Sequence, residues 1–430
     1  MDLGLNSPAP VGDIADALTA KLPRSAHVVV PIANGEPVAL VKALDERAQS
    51  LDDVSVHQMH ALHDHPYLHG AYPGHLSHVA WFLSPITRAA YHAGGCQFAP
   101  ANFSEVPQFL LAKSPSVVLA AASPPDKYGF MSLGVSADYA AAMIGRVPFV
   151  LEVNPRMPRT SGGNRIHRSE VAAWCEVEAP LVEVSKPIIT PVDRAIADLV
   201  AERIPDGATI QLGIGSIPAA VASRLTDHRD LGVHTELLSD PVVELVRAGA
   251  VTGVRKATHR GKIVTTFALG TRDLYDFCDG NDMIDFLAVD HVNDPRNIGQ
   301  EPNFHSINGT LQVDLFGQCA SESLGHHYYS GSGGQADFAR GAQYSEGGEG
   351  FVVLRSTAKN DTISRIVPSL DSGAVVTTIK NTVDSVVTEF GIARLQGQTL
   401  DQRARALIDV AHPDYRESLM REARARGLLR

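Results

Sequence analysis

The feature that most constrains the fold is an order of elements that occurs twice along the chain. Residues 13–22 form an amphipathic helical pattern that stops at Pro23 and is followed by the strand-like AHVVV, a turn and a second helical pattern. From residue 195, the segment AIADLVAERIPDGATIQLGIGSIPAAVASRL again gives helix, proline stop, strand, glycine turn and helix. This alternation is typical of an α/β fold with a largely parallel sheet.

The repetition predicts two tandem, homologous α/β domains. The triplet IAD occurs in both copies, and Pro23 matches Pro205 in the same register. A chain of 430 residues is also too long for one ordinary core. We place the N-terminal domain at residues 1–190 and the C-terminal domain at residues 191–430, with the boundary in the proline-containing stretch 185–194.

Charge and cysteine usage exclude several classes of function. The net charge is −11 and no Lys/Arg cluster is present, so neither a nucleic acid nor a membrane surface is an expected partner. The N-terminal residues lack the pattern of a signal peptide, and no apolar run approaches the ~18 residues of a membrane span. The cysteines are far apart and fit a reducing compartment: Cys96, Cys175, Cys278 and Cys319. We therefore expect a soluble, cytoplasmic protein.

A histidine-rich stretch at residues 54–78 raises the question of a metal site. Its members are His57, His60, His63, His65, His69, His75 and His78. Their spacing matches no standard zinc pattern, and carboxylate or cysteine partners are scattered. We expect no metal ion, and the role of this stretch stays open.

One carboxylate, Glu236 in LGVHTELLSD, lies between an apolar run and a helical pattern that begins near Pro241. An acid at a helix start is commonly a response to the helix dipole, so the stretch alone leaves open whether Glu236 is structural or reactive. Glu322, Asp337 and Glu389 are rival carboxylates in loop-like settings. Local chemistry does not choose among these four acids.

Two glycine-rich turns are candidate binding sites for an anionic group. The first consists of Gly331, Gly333 and Gly334 before a helical pattern at residues 335–340, and consecutive glycines let backbone N–H groups converge on a phosphate or an oxyanion. The second turn is formed by Gly213, Ile214, Gly215, Ser216 and Ile217. Neither turn is a GxGxxG or Walker loop, and a plain connection is an equally good explanation.

A side-chain amide and a serine hydroxyl are further candidates for catalytic groups. Asn308, in HSINGTLQVD, either donates to an oxyanion or closes an Asn-Gly turn with Gly309. A serine hydrolase is not supported, because the chain has no GxSxG elbow and the serine of GIGSI is one position late.

Several segments together resemble the acetyl-CoA hydrolase/transferase family, and within it the 4-hydroxybutyrate- or butyrate-type CoA-transferases of class I. They are HTELLSDPVVELV, HVNDPRNIG, SINGTLQVDLFGQ, SGSGGQADFARGA, VVTEFGIARLQGQTLDQRARALIDVAHPDYRESL and, in the first half, SPPDKYGFMSLG and EVNPRMPRT. The resemblance covers nearly the whole chain. It implies two tandem domains of the kind shared with ribose-5-phosphate isomerase-like proteins.

The resemblance also implies a catalytic residue and its partners. The glutamate of the family's TE-x-x-x-D segment is Glu236, which would attack an acyl-CoA and carry CoA as a thioester before passing it to a second acid. Donors to the oxyanion and to CoA would come from Asn308, from Gly331, Gly333 and Gly334, and from the turn at 213–217. Three departures, at Pro241, at Ser332 and in HHYY before the loop, leave the identity of the acyl group open.

The implied substrates are an acyl-CoA and a small carboxylic acid, with coenzyme A as a substrate and with no permanently bound cofactor. A homodimer or homotetramer is typical of the family. Two alternatives remain: an acyl-CoA hydrolase that uses the same glutamate, and a non-catalytic relative that binds acyl-CoA. An aldose–ketose isomerase has no support beyond the likeness of fold.

Overall fold

The computed structural model of the chain consists of two compact units. The first unit is Met1–Ser185 together with Val264–Val292, and the second is Lys186–Ile263 together with Asn293–Arg430. The structure describes residue 1, residues 3–5 and residues 7–429.

This division differs in one respect from a single boundary at residue 190, because the segment Val264–Val292 belongs with the first unit. Within that unit, the strand Ile284–Phe286 pairs in parallel with Ser161–Gly162. The hydroxyl of Tyr275 donates to the carbonyl of Val182 at 2.7 Å. Pairing at this distance along the chain leaves no local sequence signal, so a boundary drawn from composition does not anticipate it.

The first unit contains a seven-stranded sheet in which every pairing is parallel. Its strands are β1 (His27–Val29), β2 (Val54–Gln58), β3 (Leu76–Ala80), β4 (Gln97–Phe98), β5 (Val117–Ala122), β6 (Phe149–Val153) and β7 (Ala173–Glu176). Their spatial order is β7-β6-β5-β1-β2-β3-β4. A short antiparallel ribbon joins Phe130–Ser132 to Arg165–His167.

Helices cover this sheet and complete its core. In the described part of the unit they are α1 (Val11–Lys21), α2 (Val38–Asp45), α3 (Pro85–His92), α4 (Val106–Ala112), α5 (Asp138–Ala141) and, from the returning segment, α6 (Arg272–Cys278) and α7 (Val289–Val292). The predicted apolar face of α1 packs inward, since Ile14 and Leu18 are buried against Val28 and Leu40.

The second unit contains a six-stranded sheet that is parallel except at one edge. Its strands are β8 (Thr209–Leu212), β9 (Gly232–Val233), β10 (Phe304–Gly309), β11 (Glu349–Val353), β12 (Ser385–Thr388) and β13 (Gly391–Arg394), in the order β9-β8-β10-β11-β12-β13. Only β13 runs antiparallel to its neighbour. Shorter strands pair nearby: Gln312–Asp314 with Cys319–Ala320 and Ile366–Val367, Ser323–Leu324 with His327–Tyr328, and Thr357–Ala358 with Ile363–Ser364.

The helices of the second unit lie between and after these strands. They are α8 (Pro191–Ala201), α9 (Ser216–Arg224), α10 (Asp240–Arg247), α11 (Pro295–Ile298), α12 (Gln335–Tyr344), α13 (Leu400–Asp409) and α14 (Pro413–Ala425). A capping box at Thr190 and Asp193 begins α8, which fixes the start of the unit's first helix. The C-terminal helices bury Leu407 and Leu419 against the sheet residues Val352 and Val386.

The two sheets repeat one strand order. In the first unit, the run β2-β1-β5-β6-β7 has the same chain connectivity as β9-β8-β10-β11-β12 in the second. The first unit adds β3 and β4 beyond this run, and the second adds β13. The predicted α/β class with largely parallel sheets is therefore confirmed. No helix in the described ranges is long and apolar enough to cross a membrane.

Candidate active site

The predicted site residues of the second unit lie at one edge of its sheet. Glu236 follows the end of β9, Gly213 follows the end of β8, and Asn308 is the penultimate residue of β10. Because these three strands are neighbours and parallel, their carboxyl ends meet at the same edge. In open α/β sheets this edge is where ligands bind.

The turn that carries Glu236 is fixed by its neighbour Thr235. The buried Thr235 hydroxyl lies 3.1 Å from the carbonyl of Leu237 and 3.4 Å from that of Leu212, at the end of β8. A short strand, Leu237–Leu238, then leads into α10, whose first turn contains Pro241. The predicted helix start is thus present, and Glu236 lies four residues before it in the connecting turn.

The carboxylate of Glu236 accepts hydrogen bonds from a side-chain amide and from the backbone. The side-chain amide Nδ2 of Asn293 donates to Oε2 of Glu236 at 2.7 Å. The backbone N–H of Gly334, the last residue of the predicted glycine loop, also donates to this carboxylate. The structure therefore brings the predicted nucleophile and the predicted glycine loop into direct contact.

The surroundings of Glu236 raise its pKa from an ordinary 4.5 to about 7. Enclosure of the carboxyl group is the main cause, because it disfavours the charged form. The carboxylate of Asp337, near the start of α12, adds repulsion. The hydrogen bonds from Asn293 and Gly334 act in the opposite direction but do not offset the enclosure.

Gly334 has no room for a side chain. A Cβ atom at this position would collide with Oε2 of Glu236 and with Nδ2 of Asn293. Gly333, immediately before it, has a φ of 53°, which favours glycine. Gly331 is buried in the same loop. The loop leads into α12, which begins at Gln335, so the helix N-terminus faces the carboxylate through the Gly334 N–H.

Asn308 lies in the strand and not in an Asn-Gly turn. It pairs with Val352 in the register of β10 and β11. Its amide forms a reciprocal pair with Gln211 of β8: Gln211 Nε2 donates to Asn308 Oδ1 at 3.0 Å, and Asn308 Nδ2 donates to Gln211 Oε1 at 2.9 Å. One N–H of Asn308 is left for another acceptor.

The second glycine turn lies beside this amide pair. A Cβ atom at Gly213 would lie 3.0 Å from Oδ1 of Asn308, so the turn passes close to β10. Ile214 is 70% exposed, and Gly215, with a φ of 125°, caps α9 at the point where Ser216 begins the helix. Ile217 is half-buried in the first turn of α9. The backbone N–H groups here suit an anionic group, and their contact with CoA stays a prediction.

The rival carboxylates have structural partners. Oε1 of Glu322 accepts a hydrogen bond from the Thr377 hydroxyl at 3.0 Å. Both carboxylate oxygens of Glu389 are engaged by Ser356, from its backbone N–H at 2.9 Å and from its hydroxyl at 2.6 Å. Asp337 neighbours Glu236 and acts on its charge. Of the four acids, Glu236 is the one whose carboxylate is shown to accept a hydrogen bond from Gly334 of the glycine loop.

Asn293 is a site residue that the sequence reasoning missed. It is fully buried just before α11, and Asp294 caps that short helix. The segment HVNDPRNIG was noted for its resemblance to the family, but no role was assigned to its asparagine. An asparagine before an Asp-Pro helix start has an ordinary structural explanation, so only the three-dimensional contact with Glu236 identifies it.

The histidine-rich stretch forms a different kind of site in the first unit. Nε2 of His65 and Nδ1 of His63 lie 3.0 Å and 3.4 Å from Oε1 of Glu36, and Nε2 of Gln58 donates to Oε2 of the same residue at 2.9 Å. Burial acts to raise the pKa of Glu36, but His63 and His65 outweigh it and lower the pKa to about 2. Across the residues that the structure describes, no group of three or more His, Cys, Asp or Glu could hold a metal ion.

Two domain families match the chain. The acetyl-CoA hydrolase/transferase N-terminal domain matches residues 16–194, and the acetyl-CoA hydrolase/transferase C-terminal domain matches residues 270–423. The second match includes Asn293, Asn308 and the glycine loop.

Characterised relatives and a solved structure are similar over nearly the whole chain. The succinyl-CoA:cyclohexane-1-carboxylate CoA transferase of Geobacter metallireducens is 49% identical over 92% of this chain and 90% of its own. The 4-hydroxybutyrate coenzyme A transferase of Clostridium kluyveri is 44% identical over 96% of this chain and 97% of its own. The structure of RipA from Yersinia pestis superposes with a TM-score of 0.91 at 35% identity, and each chain is covered completely.

Proposed function

The chain belongs to the acetyl-CoA hydrolase/transferase family, and we propose that it transfers coenzyme A between an acyl-CoA and a carboxylic acid through a covalent intermediate on Glu236. It is an acyl-CoA:carboxylate CoA-transferase, as the resemblance predicted. We propose the covalent route and the roles of the residues that perform it. The observation that carries it is the contact of Glu236 with the Gly334 N–H and with Asn293.

In the first step, a carboxylate oxygen of Glu236 attacks the thioester carbonyl carbon of the acyl-CoA. The carbon–sulfur bond breaks, CoA leaves as its thiolate, and an acyl–glutamyl anhydride remains. In the second step, the thiolate attacks the glutamyl carbonyl carbon. The first acid leaves as a carboxylate, and CoA is held on Glu236 as a thioester. An incoming carboxylate then repeats both steps in reverse order and leaves as the new acyl-CoA.

Each step develops negative charge on a carbonyl oxygen, which needs hydrogen-bond donors. The Gly334 N–H already contacts a carboxylate oxygen of Glu236, so it is placed to stabilise an oxyanion that forms on the glutamyl carbon. Asn293 Nδ2 is a second donor at the same carboxylate. We assign CoA binding to the turn at 213–217 and a further donor to the remaining N–H of Asn308.

The raised pKa of Glu236 is consistent with a nucleophile. A carboxylate with an ordinary pKa is a weak nucleophile, whereas one with a pKa of about 7 is more basic and is still half ionised near neutral pH. In the free protein, the hydrogen bonds from Asn293 and Gly334 do not fully stabilise the negative charge of ionised Glu236. Conversion to an uncharged anhydride or thioester removes that unfavourable charge, so the enclosure that raises the pKa favours the covalent intermediate.

The exchange conserves the thioester energy, so coenzyme A acts as a substrate and no step needs a permanently bound cofactor. The proposed acceptor is a small carboxylic acid. The relatives' names include an alicyclic acid and a hydroxy acid, so cyclohexane-1-carboxylate, 4-hydroxybutyrate and succinate are the first acceptors to assay. We further propose a cytoplasmic homodimer or homotetramer, on family resemblance alone.

A second candidate function uses the same residues. In an acyl-CoA hydrolase, water would attack the anhydride or the Glu236–CoA thioester in place of the acceptor acid. The two functions differ in how far water reaches the intermediate, and the family name includes both activities.

The test is to incubate the protein with acyl-CoA in the absence of an acceptor acid and to record its intact mass. We expect a mass increase equal to CoA, located at Glu236 by peptide mapping and absent in Glu236→Ala. Addition of an acceptor acid should discharge the adduct into a new acyl-CoA. Release of free acid without acceptor, at a rate near the turnover rate, would favour the hydrolase. Binding of unchanged acyl-CoA without an adduct would leave only a non-catalytic binding protein.

A further inference from the structure

A second side-chain amide of the site has unused hydrogen-bonding capacity. Gln335 is the first residue of α12 and directly follows Gly334, so the two Cα atoms are about 3.8 Å apart. Its Nε2 is buried and has no hydrogen-bond partner among the residues that the structure describes, although part of the side chain reaches solvent. An amide nitrogen carries two N–H donors.

Asn293, which contacts Glu236 directly, also has unused hydrogen-bonding capacity. Asn293 is fully buried, and while its Nδ2 donates to Glu236, its Oδ1 has no hydrogen-bond partner within the described part of the chain. Both amides thus have an unpaired atom. Asn293 contacts the carboxylate of Glu236, and Gln335 adjoins Gly334, whose N–H donates to that carboxylate. Buried polar atoms are almost always paired in folded proteins, so an unpaired one needs an explanation, and a catalytic role is one such explanation.

We propose that Gln335 is a further catalytic residue, whose Nε2 donates a hydrogen bond to the acyl-derived oxygen of the tetrahedral intermediates formed on Glu236. This rests on the covalent route proposed above. An acyl thioester brings a carbonyl oxygen, which accepts hydrogen bonds, to the carboxylate that attacks it. The oxygen gains negative charge as the carbon–oxygen bond to Glu236 forms, and it loses that charge when the carbon–sulfur bond breaks.

The position of Gln335 suits this charge for two reasons. It occupies the N-terminus of a ten-residue helix, where the helix dipole favours negative charge. Its donor is also unbonded in the free protein, so no existing hydrogen bond has to break before it meets the oxyanion. Asn308 has only one N–H left for an oxyanion, because its amide is also paired with Gln211.

The test replaces Gln335 with methionine, which keeps the length of the side chain and removes its donors. Gln343→Met is the matched control, since Gln343 lies on the same helix and its Nε2 donates to the carbonyl of Asn381 at 3.0 Å. For each variant we would measure the rate at which CoA appears on Glu236 after rapid mixing with acyl-CoA, the KM for acyl-CoA, and the melting temperature.

For Gln335→Met we expect adduct formation to slow by about 10²-fold, as when one oxyanion donor is removed, with a KM within about 3-fold of wild type. Its melting temperature should not fall, because the change removes a donor that has no partner in the free protein. Gln343→Met should form the adduct at the wild-type rate with an unchanged or lower melting temperature.

Three results would overturn the assignment. Adduct formation by Gln335→Met at a rate within 3-fold of wild type would remove Gln335 from the reaction and leave the proposed function intact. A fall in melting temperature together with a rise in KM would make the residue structural. If the wild-type protein itself carries no CoA on Glu236, the covalent route and the role of Gln335 both fail.

Discussion

Glu36 in the first unit and Glu236 in the second are glutamates at equivalent edges of two related sheets. Glu36 lies in the loop after β1, and Glu236 lies in the loop after β9, the counterpart of the neighbouring strand β2. Both are enclosed by protein. Yet the pKa of Glu36 is lowered to about 2, and the pKa of Glu236 is raised to about 7.

The difference comes from the partners that each carboxylate meets. Glu36 contacts two histidines, His63 and His65, and its other oxygen accepts from Gln58. Glu236 accepts hydrogen bonds from two neutral groups, the Asn293 amide and the Gly334 N–H, and the carboxylate of Asp337 lies nearby. Enclosure alone raises the pKa of a carboxylate, and the partners decide whether that effect is reversed, as at Glu36, or only reduced, as at Glu236.

The largest effect is expected from Glu236→Gln, which keeps the shape of the side chain and removes the proposed nucleophile. We expect CoA transfer to fall by on the order of 10³-fold or more, because the covalent intermediate can no longer form. Steady-state transfer from acyl-CoA to succinate, followed by chromatography of the CoA esters, measures it. The same substitution at Glu36 should leave turnover within about 3-fold in protein that is folded. Equal losses in both variants would contradict the separation of roles.

Gly334→Ala tests the hydrogen bond that the Gly334 N–H donates to Glu236. A methyl group here collides with Oε2 of Glu236 and with Asn293, so the loop must move and the N–H donor is displaced. We expect a loss of about 10²-fold in the rate of adduct formation, similar to removal of one oxyanion donor. Gly309→Ala, at the end of β10, is the matched control, since a Cβ there meets no atom within 4 Å. Comparable rates for the two variants would show that the loop tolerates the displacement.

The sequence predicted the fold better than it predicted the site. The repeated helix, strand, turn and helix led to two α/β units, because hydrophobic periodicity is a local property of the chain. The selection of Glu236 over Glu322 and Glu389 depended on family motifs, since the contacts that distinguish it come from residues 57 and 98 positions away. Asn293 was missed for that reason.

The histidine-rich stretch illustrates the same limit. Its spacing matches no standard zinc pattern, and the sequence alone assigns it no other role. Its partner, Glu36, lies more than twenty residues earlier, next to the end of β1. No periodicity or composition links the two segments. Only the parallel pairing of β1 with β2 brings the loops that follow them together.

Stability should respond in opposite directions to Glu→Gln at the two positions. The lowered pKa of Glu36 means that its ionised form stabilises the fold above pH 4.5, and that this is lost as the pH falls towards 2. A shift of this size corresponds to about 3 kcal/mol, so Glu36→Gln should lower the free energy of unfolding by about 2–3 kcal/mol at pH 7.

Glu236 has the reverse sign. Its raised pKa means that ionisation opposes folding as the pH rises from 4.5 through 7, by at most about 3 kcal/mol. Glu236→Gln should therefore be more stable than wild type at pH 8 and equal to it near pH 4. Urea unfolding at both pH values measures the two variants side by side. If both lose stability at pH 8, Glu236 is held as an ordinary structural carboxylate.

The smallest expected effect concerns Asp337, whose charge adds to the enclosure of Glu236. Asp337→Asn removes that repulsion, so the pKa of Glu236 should fall by less than about one unit. In the proposed mechanism only ionised Glu236 attacks the thioester, so the rate of adduct formation should rise with pH through this pKa. The midpoint of the pH–rate profile should move below that of the wild type, while the plateau rate at high pH changes by less than about 3-fold. A profile that loses its plateau and keeps its midpoint would show that Asp337 supports the geometry of the loop and has no effect on the charge of Glu236.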